Sequence, residues 1–190
     1  MTRLTRIAVL TLVFNFGQSP TQGKTTAASA TSQTPGFGAE RARVEFLVGT
    51  FATETYFPPL PSMPKGVTGK GTSVITWALD SMFLSIDDQS FNSLFGHYKA
   101  HGILGFDSQT HQFVLSMFNN FGDHPTYHGN FVGDTLILQT KVPAPRGSFD
   151  QQLHWYKEGE AVKLRVLNDY GKGLVPVLEQ TATPVSQETK

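Results

Sequence analysis

The chain has 190 residues, with 15 lysines and arginines balanced by 15 aspartates and glutamates, and no cysteine. That balance gives no electrostatic grip on nucleic acid or on an anionic membrane surface, and the lack of cysteine excludes disulfides, thiolate chemistry and a lipid anchor through cysteine. Stability must therefore come from an apolar core, for which 15 phenylalanines, five tyrosines and two tryptophans are available.

Arg3 and Arg6 precede a continuous apolar run from Ile7 to Phe14, and small polar residues follow as far as Ala28-Ser29-Ala30. This order of charge, short apolar stretch and small residues is that of a secretory signal peptide, expected over 1–23 with cleavage between 23 and 30. The run is well short of the ~20 apolar residues that a membrane-spanning helix needs. Loss of Arg3, Arg6 and Lys24 would leave the mature chain with three more acidic than basic residues. Export predicts a periplasmic or secreted protein. Residues 24–38 lack apolar bulk and are expected to form a flexible lead-in. The Gly23-Lys24-Thr25 triplet has the wrong spacing from Gly17, and no preceding strand, for a phosphate-binding loop.

A globular domain is expected over 39–184, with a short tail at 185–190. It opens with a helix-forming run, 40–47, that stops at Gly49. From there the signals change to strands. Residues 50–57 alternate Phe51, Thr53, Thr55 and Phe57 against Ala52, Glu54 and Tyr56. The prolines at 58, 59 and 61 end that strand, because proline cannot donate to a ladder. The stretch 58–71 is expected to be a long Pro/Gly-rich loop, of a length that often serves as a lid. Further strands are expected at 73–79, 82–87, 97–106, 112–119, 126–132, 135–142, 149–157, 161–168 and 174–181. Gly133-Asp134 and Glu158-Gly159 are expected to be hairpin turns. Strands recurring about every ten residues, with no long helical period, indicate an all-β domain. A sandwich would give a similar count, but the sequential order favours an antiparallel up-and-down barrel with a short N-terminal helix, which also removes exposed strand edges.

Several strands carry large apolar side chains on both faces. Phe113, Leu115 and Met117 alternate with Val114, Ser116 and Phe118, and Leu153 and Trp155 with His154 and Tyr156. A barrel of eight or more strands either fills its interior with side chains or lines a space for one small ligand. Phe51, Trp77, Tyr98, Phe113, Met117 and Trp155 are the expected wall of such a pocket for a small apolar molecule, with 58–71 as its lid. The alternative is a filled barrel acting as a protein-interaction module.

The segments Glu45-Phe46-Leu47-Val48-Gly49-Thr50-Phe51, Leu79-Asp80-Ser81-Met82-Phe83-Leu84, Gly102-Ile103-Leu104-Gly105-Phe106-Asp107 with His111-Gln112-Phe113-Val114, and Gly129-Asn130-Phe131-Val132-Gly133-Asp134-Thr135-Leu136 occur in that order. Together they resemble the bacterial family known as domain of unknown function 1579, over residues 40 to 182. The resemblance implies a lipocalin-like (calycin) barrel and no activity. Phe51 stands where that family often has tryptophan, and Ser81 where it often has glycine.

Chemistry is sparse. His97 and His101 share a strand face but lie ~13 Å apart in an extended strand, too far to ligate one metal. His124 and His128 flank Pro125 and are the one pair expected to converge on a metal or haem, as an alternative to the apolar pocket. Asp87 and Asp88 are adjacent and so point to opposite strand faces, unlike a working carboxylate pair. Ser116 and Ser148 lie in no nucleophile-elbow motif, and Asp107 and Asp134 read as turn residues. The expectation is a non-enzymatic binding protein without a cofactor.

Overall fold

The computed structural model describes residues 38–59, 64–145 and 147–185. The chain divides into two units, 1–32 and 33–190. The expected signal peptide, most of the expected lead-in and nearly all of the expected tail lie outside the described residues.

Ten strands follow one helical segment: β1 (Gly49–Phe57), β2 (Val67–Ala78), β3 (Phe83–Asn92), β4 (Gly96–Asp107), β5 (Gln112–Asn119), β6 (Thr126–Val132), β7 (Thr135–Ala144), β8 (Gly147–Glu158), β9 (Ala161–Asp169) and β10 (Leu174–Pro184). Each strand pairs antiparallel with its sequence neighbours, and β1 also pairs with β10, so the sheet closes into a barrel. Closure leaves no strand edge unpaired among the described residues. The all-β, up-and-down barrel expected from the strand rhythm is the architecture present, and it is consistent with the lipocalin-like form that the resemblance implies. Among the described residues no helix is long and apolar enough to cross a membrane.

The helical segment is one α-turn, α1 (Arg41–Val44), between 3₁₀ turns at Gly38–Glu40 and Glu45–Leu47. Val44 and Leu47 are completely buried and belong to the barrel core. Arg41 lies 4.5 Å over the Trp77 ring, and Arg43 lies 4.1 Å over Phe131 and donates to the Gly133 carbonyl. The segment therefore seals the barrel end where β1 starts, here the closed end. The turns after β1, β3, β5, β7 and β9 form the opposite end, the mouth.

Two expectations need correction. The expected loop at 58–71 is shorter, because β2 begins at Val67 and pairs with β1 from Phe57↔Val67 onward. Gly69 and Gly71 looked like turn residues but serve close strand packing. A Cβ on Gly71 would strike the Gln89 carbonyl oxygen and come within 2.6 Å of Ser90 Cβ. Of the expected lid, 60–63 lie outside the described residues. The strand expected at 82–87 continues to Asn92, because alternation persists after apolar residues give way to Asp88, Ser90 and Asn92.

Inward positions divide the barrel into two halves. Towards the closed end, Leu84, Ile86, Leu104, Phe113, Leu115, Leu136, Leu138, Leu153 and Val162 form a sealed apolar core. Towards the mouth most inward positions turn polar, with Ala100, Val142, Phe149 and Val166 among the apolar exceptions. The outer face carries cross-strand ion pairs such as Lys70–Glu54 at 3.2 Å and Lys141–Asp150 at 3.0 Å, exposed pairs that add little stability.

Candidate functional site

The mouth half of the lumen is lined from several strands. Asp88 on β3 faces inward and accepts a hydrogen bond from the Ser73 hydroxyl, its partner in the β2–β3 register. Burial, and secondarily Asp87, pushes its carboxyl above the ordinary range against that bond. Asp87 points outward and pairs with His101 Nδ1 at 2.8 Å. The adjacent aspartates thus do occupy opposite faces.

On the next strands, Tyr98 and Asn119 hydrogen-bond through their side chains, and burial, aided by Asp88 and Asp123, pushes the Tyr98 phenol to about 12. Burial likewise raises Tyr127 to about 12, with Tyr98 and Asp123 contributing. Both phenols remain neutral donors at any physiological pH. The Tyr127 hydroxyl donates to Gln151 Oε1 at 2.6 Å, Gln151 Nε2 to Asn168 Oδ1 at 2.9 Å, and Asn168 Nδ2 to the Tyr170 oxygen at 2.8 Å. This chain of amides and phenols follows the wall from β6 to the loop after β9. Thr140, Val166 and Gln180 complete the lining by strand alternation. These positions face inward, yet Tyr98, Asn119, Thr140, Gln151, Val166 and Gln180 all keep some solvent exposure. The lumen is therefore open at this end.

Where the polar half meets the core, a cavity of about 30 Å³ lies against Phe51, Ser73, Asp88, Trp155, Leu164 and Gln180. A wider cleft of about 440 Å³ opens outside the lumen at the closed end, beside Glu45, Lys157 and Glu160. It is the larger space, but its charged groups are exposed, so it lacks the enclosed polar anchors of a ligand site.

Three mouth turns are fastened by short polar side chains accepting backbone N–H groups. Asn92 Oδ1 accepts from Leu94 and Phe95, Asn119 Oδ1 from Phe121 and Asp123, and Asp169 Oδ1 from Gly171, Lys172 and Gly173. Asn and Asp suit these places because one oxygen can hold a tight turn. The fastened turns present an apolar rim: Phe95, Phe121 and Tyr170 are 50%, 53% and 60% exposed, and Leu94, Leu174 and Val175 are also exposed.

The residues singled out from the sequence fall in different places. Phe51, Phe113 and Trp155 are buried, and Trp77 and Met117 are half-buried against the core. All five face inward in or beside the closed half, where only Phe51 and Trp155 touch the small cavity. Tyr98 alone belongs to the polar mouth. His124 is exposed in the β5–β6 turn, and His128 is exposed on the outer face of β6 opposite Val114 and Gln139. Among the described residues no three His, Cys, Asp or Glu side chains form a metal-binding group. Asp107 holds the β4–β5 turn, accepting from Gln109 N and Thr110 Oγ1 at 2.8 Å each.

Asp88, Tyr127, Gln151 and Asn168 were missed. A signal for Asp88 was present: Leu84, Ile86, Asp88, Ser90 and Asn92 have one parity, so a strand with two apolar inward residues carries its carboxylate inward too. The amide chain had no such signal, since it joins three strands across 17 and 24 residues. Neither a family model nor a curated protein matches this chain.

Proposed function

We propose that this protein binds a small molecule in the mouth half of its barrel, with the polar wall holding the ligand's hydrogen-bonding end and the apolar rim covering its body. The observation that carries this reading is the contrast within one lumen. Inward side chains of the closed half are sealed core, whereas those of the mouth half are mostly polar, several hydrogen-bonded to one another, and Tyr98, Asn119, Thr140, Gln151 and Gln180 among them keep some solvent exposure. Folding alone has no need for a buried polar network, which costs stability wherever it is incompletely satisfied. A ligand offering complementary groups gives the network a use. The filled closed half argues against a large apolar guest and favours an amphipathic molecule lying near the mouth. The charged and apolar start of the chain supports export, so such a ligand would be met outside the cytoplasm. Kinship with the domain of unknown function 1579 family is part of the proposal and adds no activity.

The reading is tested by titrating the full chain with a neutral amphiphile such as 1-hexanol while following backbone amide shifts by NMR. Saturable shifts should concentrate at inward residues of the mouth half, Ser73, Asp88, Tyr98, Tyr127 and Gln180 among them, and the double change Phe121→Ser with Tyr170→Ser should weaken binding by about tenfold, equivalent to about 1.4 kcal/mol. Shifts confined to the outer face, or an unchanged affinity in the rim variant, would remove the mouth as the site.

A further inference from the structure

We infer that the ligand's head is a primary ammonium group, seated in the small cavity against the Asp88 carboxylate between the Phe51 and Trp155 rings. This rests on the lumen reading and specifies its chemistry. Three observations lead to it. First, the cavity of about 30 Å³ exceeds the roughly 10–15 Å³ that a single water requires, and so has room for a small polar head. Second, its walls combine one carboxylate, the Ser73 hydroxyl and the Gln180 amide with aromatic rings, the set that recognises a small cation by ion pairing, hydrogen bonding and ring quadrupole together.

Third, the inward strand positions of the mouth half carry one carboxylate and no cation to match it. By strand alternation no Lys, Arg or His occupies an inward position in the mouth half among the described residues. None of the ion pairs of the described residues includes Asp88. The other acid near the wall is Asp123, in the mouth turn, where it acts on both Tyr98 and Tyr127. A carboxylate desolvated without a cation is held at a cost that an incoming ammonium would offset. Thr53, 2% exposed and facing the same lumen from β1, has a hydroxyl without a hydrogen-bond partner among the described residues. Such an orphan fits a wall built to meet something further.

The rival occupant of the cavity is a single bound water, which would leave the protein indifferent to the ligand's charge. Binding of 1-hexylamine, 1-hexanol, hexanoate and hexyltrimethylammonium to the full chain at pH 7, followed by calorimetry and Trp fluorescence, separates the two. The amine should bind at least tenfold more tightly than the alcohol, hexanoate should bind most weakly, and the bulky quaternary ion should gain nothing over the alcohol. Asp88→Asn, confirmed as folded by its thermal melt, should abolish the preference, so that the variant binds amine and alcohol with equal affinity. Equal binding of amine and alcohol, or a preference that survives Asp88→Asn, overturns the ammonium assignment while the lumen site stands. If none of the four saturates, the lumen reading fails and the assignment fails with it.

Discussion

Ionising Asp88 in the free barrel means removing a carboxylate from water with one hydroxyl as compensation, and its raised pKa expresses that cost. The sign for stability follows. A carboxyl whose folded pKa exceeds its unfolded value binds its proton more tightly in the native state, so its contribution is complete below the unfolded value of 3.8 and is lost as pH rises through the folded value. Asp88→Asn should therefore match the wild type near the unfolded value and become the more stable protein as pH rises towards neutrality. The gain expected at pH 7 is about 2–4 °C in Tm, the shift that about 1 kcal/mol gives in a domain of this size. Melting curves of both proteins across that pH range decide it; a variant no more stable at pH 7 would mean that the carboxylate already has a partner. The turn at Leu79, Asp80 and Ser81 is another local cost, with φ of 49°, 55° and 65° at three residues that are not glycine. The left-handed backbone at Ser81 is one that glycine adopts at no steric cost.

At the scale of elements, strand recognition succeeded where turn chemistry was unambiguous and failed where glycine had two meanings. β5 and β6 have the boundaries read from the sequence, because Asn119 and Pro125 bound one loop and Gly133-Asp134 the next. β2 lost its first six residues in that reading, since Gly69 and Gly71 resemble loop residues unless the neighbouring strand is known. β10 is likewise expected too short, ending at 181 where the strand runs to Pro184, because Ala182-Thr183-Pro184 offers no large apolar residue and ends in proline. Glycines inside strands should accordingly differ in tolerance. A methyl on Gly71 meets the backbone of β3, which cannot yield without moving the ladder, whereas on Gly102 it meets the flexible end of Met117. Gly71→Ala should cost about 3 kcal/mol or more and Gly102→Ala about 1–2 kcal/mol in urea unfolding, within the range known for overpacking. Similar costs for the two would show that β3 shifts as readily as the Met117 side chain.

Across the whole molecule, the two ends of the barrel have opposite designs. The site half was the less legible, because its polar side chains converge only after closure brings β2, β3, β8 and β10 around one space, whereas the core half announced itself in every alternating strand. The closed end depends on a segment of a single α-turn between 3₁₀ turns, too short to be helical by its own propensity and held by what it buries. Val44 and Leu47 enter the core, while Arg41 and Arg43 cover the rings of Trp77 and Phe131 from outside. Leu47→Ala should then cost about 2–5 kcal/mol, the usual range for emptying a fully buried leucine site, and lower Tm by roughly 4–20 °C. The nearby exposed change Glu45→Ala should leave Tm within about 2 °C. Because the mouth is at the opposite end, and the sealed core lies between, Leu47→Ala should retain amine affinity within about twofold wherever it remains folded. Loss of binding in that variant at a temperature where its circular dichroism is native would show that the two ends are coupled, and that the plug helps to shape the lumen it closes.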